Sequence, residues 1–144
     1  MNFLIVTGLS GAGKSMAVNA LEDIGFFCID NIPAGLLPRI LDFAQQGENQ
    51  LSRVAVVMDI RGLHSVQETN EALEALDEKK MPYDILFLDA SDAAIRRRYK
   101  ETRRVHPMTI SEGIPVSEAI TKERQILQPL RERAKYVIDT SLLS

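Results

Sequence analysis

The sequence predicts an α/β protein, a three-layer sandwich around a five-stranded, mainly parallel sheet. Five short apolar runs recur along the chain: FLIVT, FFCID, RVAVVMD, ILFLD and YVID. Longer amphipathic stretches separate them, the alternation expected when helices cross over between parallel strands. Glycines and prolines fall mostly between these segments, where they punctuate the chain.

Phe3–Thr7 reads as the first strand. Lys14–Ile24 follows as a helix, with Ala17, Val18 and Leu21 on one side and Gly25 as its stop. Phe26–Asp30 is the second strand, and a helix opens near Pro33, short or kinked because it contains Pro38. The polar stretch Gln45–Ser52 connects to the third strand, Arg53–Asp59. A helix over Val66–Lys79 precedes the fourth strand, Ile85–Asp89. Asp92 is placed to cap a helix running to about Arg103. Val105–Pro115, with two prolines and a glycine, is expected to be a loop. A last helix over Val116–Lys135, open to interruption at Pro129, leads to the fifth strand, Tyr136–Asp139.

With 144 residues the chain matches one domain, 1–144, large enough for a self-standing core. Hydrophobic residues make up 45% and charged residues 26%, an ordinary balance for a globular protein. No apolar run approaches the roughly 18 residues that a membrane span needs. The N-terminal MNFLIVTG has no basic stretch and reads as a buried strand rather than a signal peptide. Cys28 has no second cysteine to pair with, which fits a reducing, cytoplasmic compartment. Net charge is −3, so a nucleic-acid role would require a local basic patch.

The segment Gly8-Leu9-Ser10-Gly11-Ala12-Gly13-Lys14-Ser15 matches G-x-x-x-x-G-K-[ST], between a strand and an amphipathic helix as that motif requires. Glycines let such a loop curl so that successive N–H groups face phosphate oxygens, and the helix N-terminus adds its positive dipole end. Lys14 is expected on the β- and γ-phosphates of ATP or GTP, and Ser15 on a Mg²⁺ ion. The architecture is accordingly P-loop kinase-like. Glycine-rich turns without a ligand are the plain alternative.

A magnesium shell also needs an aspartate at a strand end. Asp59 and Asp89 both close apolar strands. In the kinase-like arrangement the third strand lies beside the first and the fourth on its other flank, which favours Asp59, assigned with Lys14 to any catalysis and with Ser15 to the metal. Asp59-Ile60-Arg61-Gly62 also matches D-x-x-G, a γ-phosphate-sensing pattern in GTPases, although the same residues suit a plain strand-to-helix turn. Asp89 would then cap a helix or border the site. Asp30, followed by Asn31, could hold a phosphoryl acceptor or simply form a polar turn.

Arg96, Arg97, Arg98, Lys100, Arg103 and Arg104 concentrate basic charge, opposed only by Glu101. A lid that clamps phosphates, with Arg103 and Arg104 nearest, is the leading reading; a solvated face and an RNA-contacting patch compete with it. His64 and His106 have no partner at metal-ligand spacing. Ile138-Asp139-Thr140-Ser141 closes the last strand beside the expected base, without specifying adenine or guanine.

GLSGAGKS, GFFCIDNIPAGLLP, VVMDIRG, LFLDASD, RYKETRRVHP and VIDTS together resemble the RapZ family of RNase adapter proteins and related P-loop proteins, across essentially the whole chain. The resemblance implies binding of ATP and GTP with weak hydrolysis. It also implies an ATP site at Gly8–Ser15 and a GTP assignment at Asp59–Gly62. The residues read here place both segments around one nucleotide. The resemblance implies a protein about twice as long, with a C-terminal domain that in the best-known branch of the family carries RNA and amino-sugar-phosphate binding, so an N-terminal domain is expected here, with further chain after Ser144. Three functions remain in view: a regulatory nucleotide-binding module, a small-molecule kinase, and an RNA-binding adapter.

Overall fold

The structure, a computed structural model, describes residues 3–45, 53–60, 62–102 and 105–142. At its centre, β1 (Phe3–Gly8) is buried along its whole length, as a parallel strand covered on both faces must be. β3 (Val54–Val57) pairs with one edge of β1 and β4 (Asp84–Asp89) with the other. β2 (Phe27–Asp30) extends the sheet beyond β3 and β5 (Tyr136–Asp139) beyond β4, giving the order β2-β3-β1-β4-β5 with every pairing parallel. This is the strand order that the Asp59 argument assumed.

Right-handed crossovers place α1 (Lys14–Asp23) on one face of such a sheet. On the other lie α2 (Leu37–Gln45), α3 (Gly62–Glu78) and α6 (Val116–Arg133), where α3 contacts both α2 and α6. The core between these layers is built from Leu4, Val6, Leu37, Leu73, Leu76 and Ile120, with Phe87 and Leu127 closing it. Pro38 occupies the first turn of α2, where its missing N–H has no intrahelical partner to lose.

Four expectations change in detail. α3 begins at Gly62 instead of Val66, so the strand-to-helix turn after Asp59 is short. Asp92 opens α4 (Asp92–Thr102) but Ser91 caps it, its hydroxyl accepting the Ala94 N–H at 3.1 Å. α6 runs through Pro129 without interruption; Pro129 and Gln125, one turn before it, are both exposed, where water can replace the lost hydrogen bond.

The expected loop over Val105–Pro115 contains a helix, α5 (Pro107–Glu112). Its proline and glycine are start and stop signals rather than breakers: Pro107 takes the first helical position and Gly113, at φ 68°, ends it. His106 and Met108 anchor this segment in the interior, His106 with none of its surface exposed.

Candidate functional site

The loop between β1 and α1 leaves the sheet at its centre. At Gly8 the backbone passes so close to β4 that a Cβ would lie 2.3 Å from the Leu88 carbonyl oxygen, an approach only glycine permits. Gly13, at φ 95°, turns the chain into α1. Leu9 and Ala12 are buried, and their backbone groups bond within the protein: the Leu9 N–H to the Leu88 carbonyl, the Ala12 N–H to the Leu9 carbonyl at 3.0 Å. Lys14 Nζ donates to the Gly8 and Leu9 carbonyls, each at 3.3 Å, arching over the loop it follows.

Three distant side chains grip the loop from outside. Arg98 of α4 donates to the Gly11 carbonyl at 2.9 Å and also bonds the Thr140 hydroxyl and carbonyl. The Thr140 hydroxyl, just past β5, donates to the Ala12 carbonyl at 2.6 Å. A trans peptide points its C=O and N–H in opposite directions, so this bond turns the Gly13 N–H the other way, toward the cleft that Gly13 lines. Glu123 of α6 accepts from the Ser10 N–H at 3.0 Å and from its hydroxyl at 2.7 Å.

That cleft, of about 470 Å³, brings Gly11, Gly13, Lys14 and Ser15 together with Asp59. Arg98, Tyr99, Thr102 and Pro107 form its opposite wall. Asp59 is exposed within it, two residues past β3, while Ile60 turns into the core. Lys14, Ser15 and Asp59 thus border one space, and their ammonium, hydroxyl and carboxylate are the donor set that a magnesium–phosphate group requires. Arg61, Arg103 and Arg104 lie outside the described residues.

Asp89 is engaged elsewhere. It accepts from Arg124 at 2.8 Å, from Arg131 at 3.4 Å and from the Ala90 N–H at 2.7 Å. Burial lowers the affinity of Arg124 for its proton, but hydrogen bonds to Asp89 and Asp92 outweigh this and hold the guanidinium above its ordinary pKa. Asp30 is exposed at the end of β2, and neither it nor Asn31 is among the cleft residues. Arg96 bonds Ser117 and Arg97 the Ser141 carbonyl, so the basic run of α4 divides, with Arg98 alone of these three reaching the loop. His64 is exposed and pairs with Glu68 at 2.7 Å, one helical turn away. Cys28 is half-buried against the core; burial first, then the charge of Glu22, raises its thiol pKa.

Glu123 carried no local signal in the sequence, Thr140 stood in the segment expected beside the base rather than under the loop, and Arg98 was hidden among its neighbours. Among the described residues no group of three or more His, Cys, Asp or Glu side chains could form an all-protein metal cage. A magnesium ion held by one or two side chains and phosphate needs none.

The model of the RapZ-like N-terminal domain matches residues 1–144. The chain belongs to this family. A nucleotide-binding protein of Moorella thermoacetica is 50% identical over 145 residues, covering 98% of this chain, and one of Agathobacter rectalis is 48% identical over 143 residues, covering 99%. The domain spans about half the length of these curated relatives, 48% of each. Among solved structures, shikimate kinase from Bacteroides thetaiotaomicron superposes with a TM-score of 0.53 at 17% identity, covering 96% of this chain and 86% of its own. The Deinococcus radiodurans tunicamycin resistance protein gives 0.59 at 16%, with the same coverages of 96% and 86%. The RapZ-like domain therefore has a P-loop kinase-like fold. Among its described residues no helix is long and apolar enough to cross a membrane.

Proposed function

We propose that this domain binds a nucleoside triphosphate, ATP or GTP, together with Mg²⁺, and serves as a regulatory module with slow turnover at most. The observation that carries the reading is the meeting of Lys14, Ser15 and Asp59 in one cleft beneath a curled glycine loop. Backbone N–H groups of Gly11, Gly13, Lys14 and Ser15 would hold the phosphates, Lys14 would neutralise the β- and γ-phosphates, and Ser15 with Asp59 would hold the metal. The D-x-x-G segment from Asp59 to Gly62 then borders the same nucleotide, instead of forming a second site. Relatives described as nucleotide-binding proteins support this assignment.

Slow turnover is supported by Arg98, whose guanidinium bonds loop and Thr140 carbonyls, where a fast phosphotransferase would aim an arginine at the transferred group. The kinase alternative needs an acceptor pocket, and Asp30 with Asn31, its best candidates, lie away from the cleft lining. A clamp by Arg103 and Arg104 over the phosphates completes the proposal. RNA or RNase contacts, as the resemblance implies them, would belong to the part of longer relatives that this domain does not align with. A cytoplasmic location fits the single half-buried thiol.

Calorimetric titration with ATP and GTP, with and without Mg²⁺, tests the reading. Magnesium-dependent binding with turnover below about 1 s⁻¹, the low end of usual enzyme rates, is expected. Absence of binding by both nucleotides sinks it.

A further inference from the structure

Ser10 is the point where the phosphate loop is tied to the rest of the protein by charge. Glu123 reaches it from α6 across 113 positions of sequence. The carboxylate is 4% exposed and has three donors: the Ser10 N–H, the Ser10 hydroxyl, and His106 Nε2 at 3.2 Å. His106 Nδ1 accepts the Met108 N–H at 3.0 Å, so the ring proton lies on Nε2 and points at Glu123. The chain of contacts thus runs from the N-cap of α5 through the imidazole and the carboxylate to the loop.

A buried carboxylate beside a loop built for phosphate is costly twice over, through its own desolvation and through repulsion of an anionic ligand. It also takes the Ser10 N–H out of the set that can face a phosphate. An apolar residue would avoid both costs, yet could not hold Ser10. We infer that Glu123 is a positioning residue: with His106 behind it, it braces the loop at Ser10 in the shape that receives phosphate, so that little ordering remains to be done on binding. The inference rests on the nucleotide reading above and deepens it.

Geometry and charge make separable predictions. In Glu123→Gln the amide oxygen can replace Oε1, accepting from Ser10 and His106, while the amide nitrogen donates to the Ser10 hydroxyl, which turns to accept. The brace survives and the negative charge is gone. Glu123→Ala loses all three bonds.

The experiment measures ATP and GTP affinity of each variant well below its melting temperature, with the wild type and Lys14→Ala as controls. Expected is a loss of about 10-fold or more in Glu123→Ala, against affinity equal to or a few-fold tighter than wild type in Glu123→Gln. A carboxylate that merely stabilised the fold would lower melting temperature in both variants and leave affinity unchanged in both. Wild-type affinity in Glu123→Ala, or equal losses in the two variants, overturns the brace. Should Glu123→Ala fail to fold, Ser10→Ala decides: it deletes one of two bonds to the loop and should weaken binding about threefold at nearly unchanged melting temperature, and unchanged affinity overturns the inference. If the wild type binds neither nucleotide, the nucleotide reading itself has failed; if only the variants match wild type, the brace alone has failed.

Discussion

Asp59 and Asp89 follow apolar strands on opposite flanks of β1, in sequences as alike as VVMD and LFLD. Their surroundings differ completely. Asp89 is gripped by Arg124 and Arg131 and caps its own turn through the Ala90 N–H, so its carboxylate belongs to the scaffold. Asp59 stands exposed in the cleft that Lys14 and Ser15 also border. What separates them is the element that comes next. After β4 the chain forms α4, and α6 packs against both, bringing two arginines to Asp89. After β3, α3 begins at Gly62, and Asp59 stays at the lining of the cleft that Lys14 and Ser15 share. A strand-end aspartate becomes a strut where a basic helix returns over it, and stays at the cleft where none does.

The sharpest break of this division is at Lys14, the cation on Asp59's side. Lys14→Ala should weaken nucleotide binding by about 100-fold, the loss of one or two charge-assisted bonds at ~1.5–3 kcal/mol each, with unchanged circular dichroism. Retained affinity in calorimetry would remove the phosphate role from the cleft. The two aspartates are then expected to separate by assay. Asp89→Asn should cost ~1–3 kcal/mol of stability, seen as a melting temperature lower by several degrees, with little change in affinity. Asp59→Asn should leave melting nearly unchanged and reduce magnesium-dependent affinity by about 10-fold. If the larger loss of magnesium dependence falls on Asp89, the division is reversed.

Arg98 tests the boundary between the two sides, since it joins the scaffold residue Thr140 to the loop carbonyl of Gly11. Arg98→Ala should lower both affinity, by roughly fivefold, and stability, by ~1 kcal/mol, in parallel. An effect on one alone would assign it wholly to site or scaffold.

The smallest effect concerns a second scaffold cluster, Tyr83–Asp77–Arg133. Burial, then the hydrogen bond to Asp77, pushes the Tyr83 phenol up to about 12. Its unfolded value is about 10, so the protonated phenol favours the folded state. That contribution is complete below about pH 10 and is lost as pH rises toward 12. Urea midpoints between about pH 9 and pH 11 should fall more steeply in wild type than in Tyr83→Phe, with nucleotide affinity at neutral pH identical in both. A parallel fall would leave Tyr83 without a linked proton.

Hydrophobic period and turn chemistry were enough to place the five strands and the long helices, because both are written within a few neighbouring residues. Phe3–Thr7, Ile85–Asp89 and Tyr136–Asp139 match their strands to within a residue, and GLSGAGKS announces the tight turn between β1 and α1. α5 is not legible in the sequence despite Pro107 and Gly113 at its ends, since a helix of this length shows little period and its anchor, His106, is buried through a contact with the distant Glu123. Arg98 could not be told from Arg96 and Arg97 by pattern, because the difference between them is which one meets a carbonyl 87 positions away.

The fold class and the tight glycine-rich turn after β1 were legible in the sequence alone, since both are properties of local periodicity, glycine content and motif order; the strand flanks of β1 followed from the kinase-like arrangement that the motif implies. Only the tertiary structure tied Asp89 to Arg124 and Arg131, singled out Arg98, and drew Glu123, His106 and Thr140 to the loop. The reason is physical: backbone geometry propagates over a few residues, whereas a hydrogen bond joins whatever the packed core brings within 3 Å or so, regardless of the length of chain between.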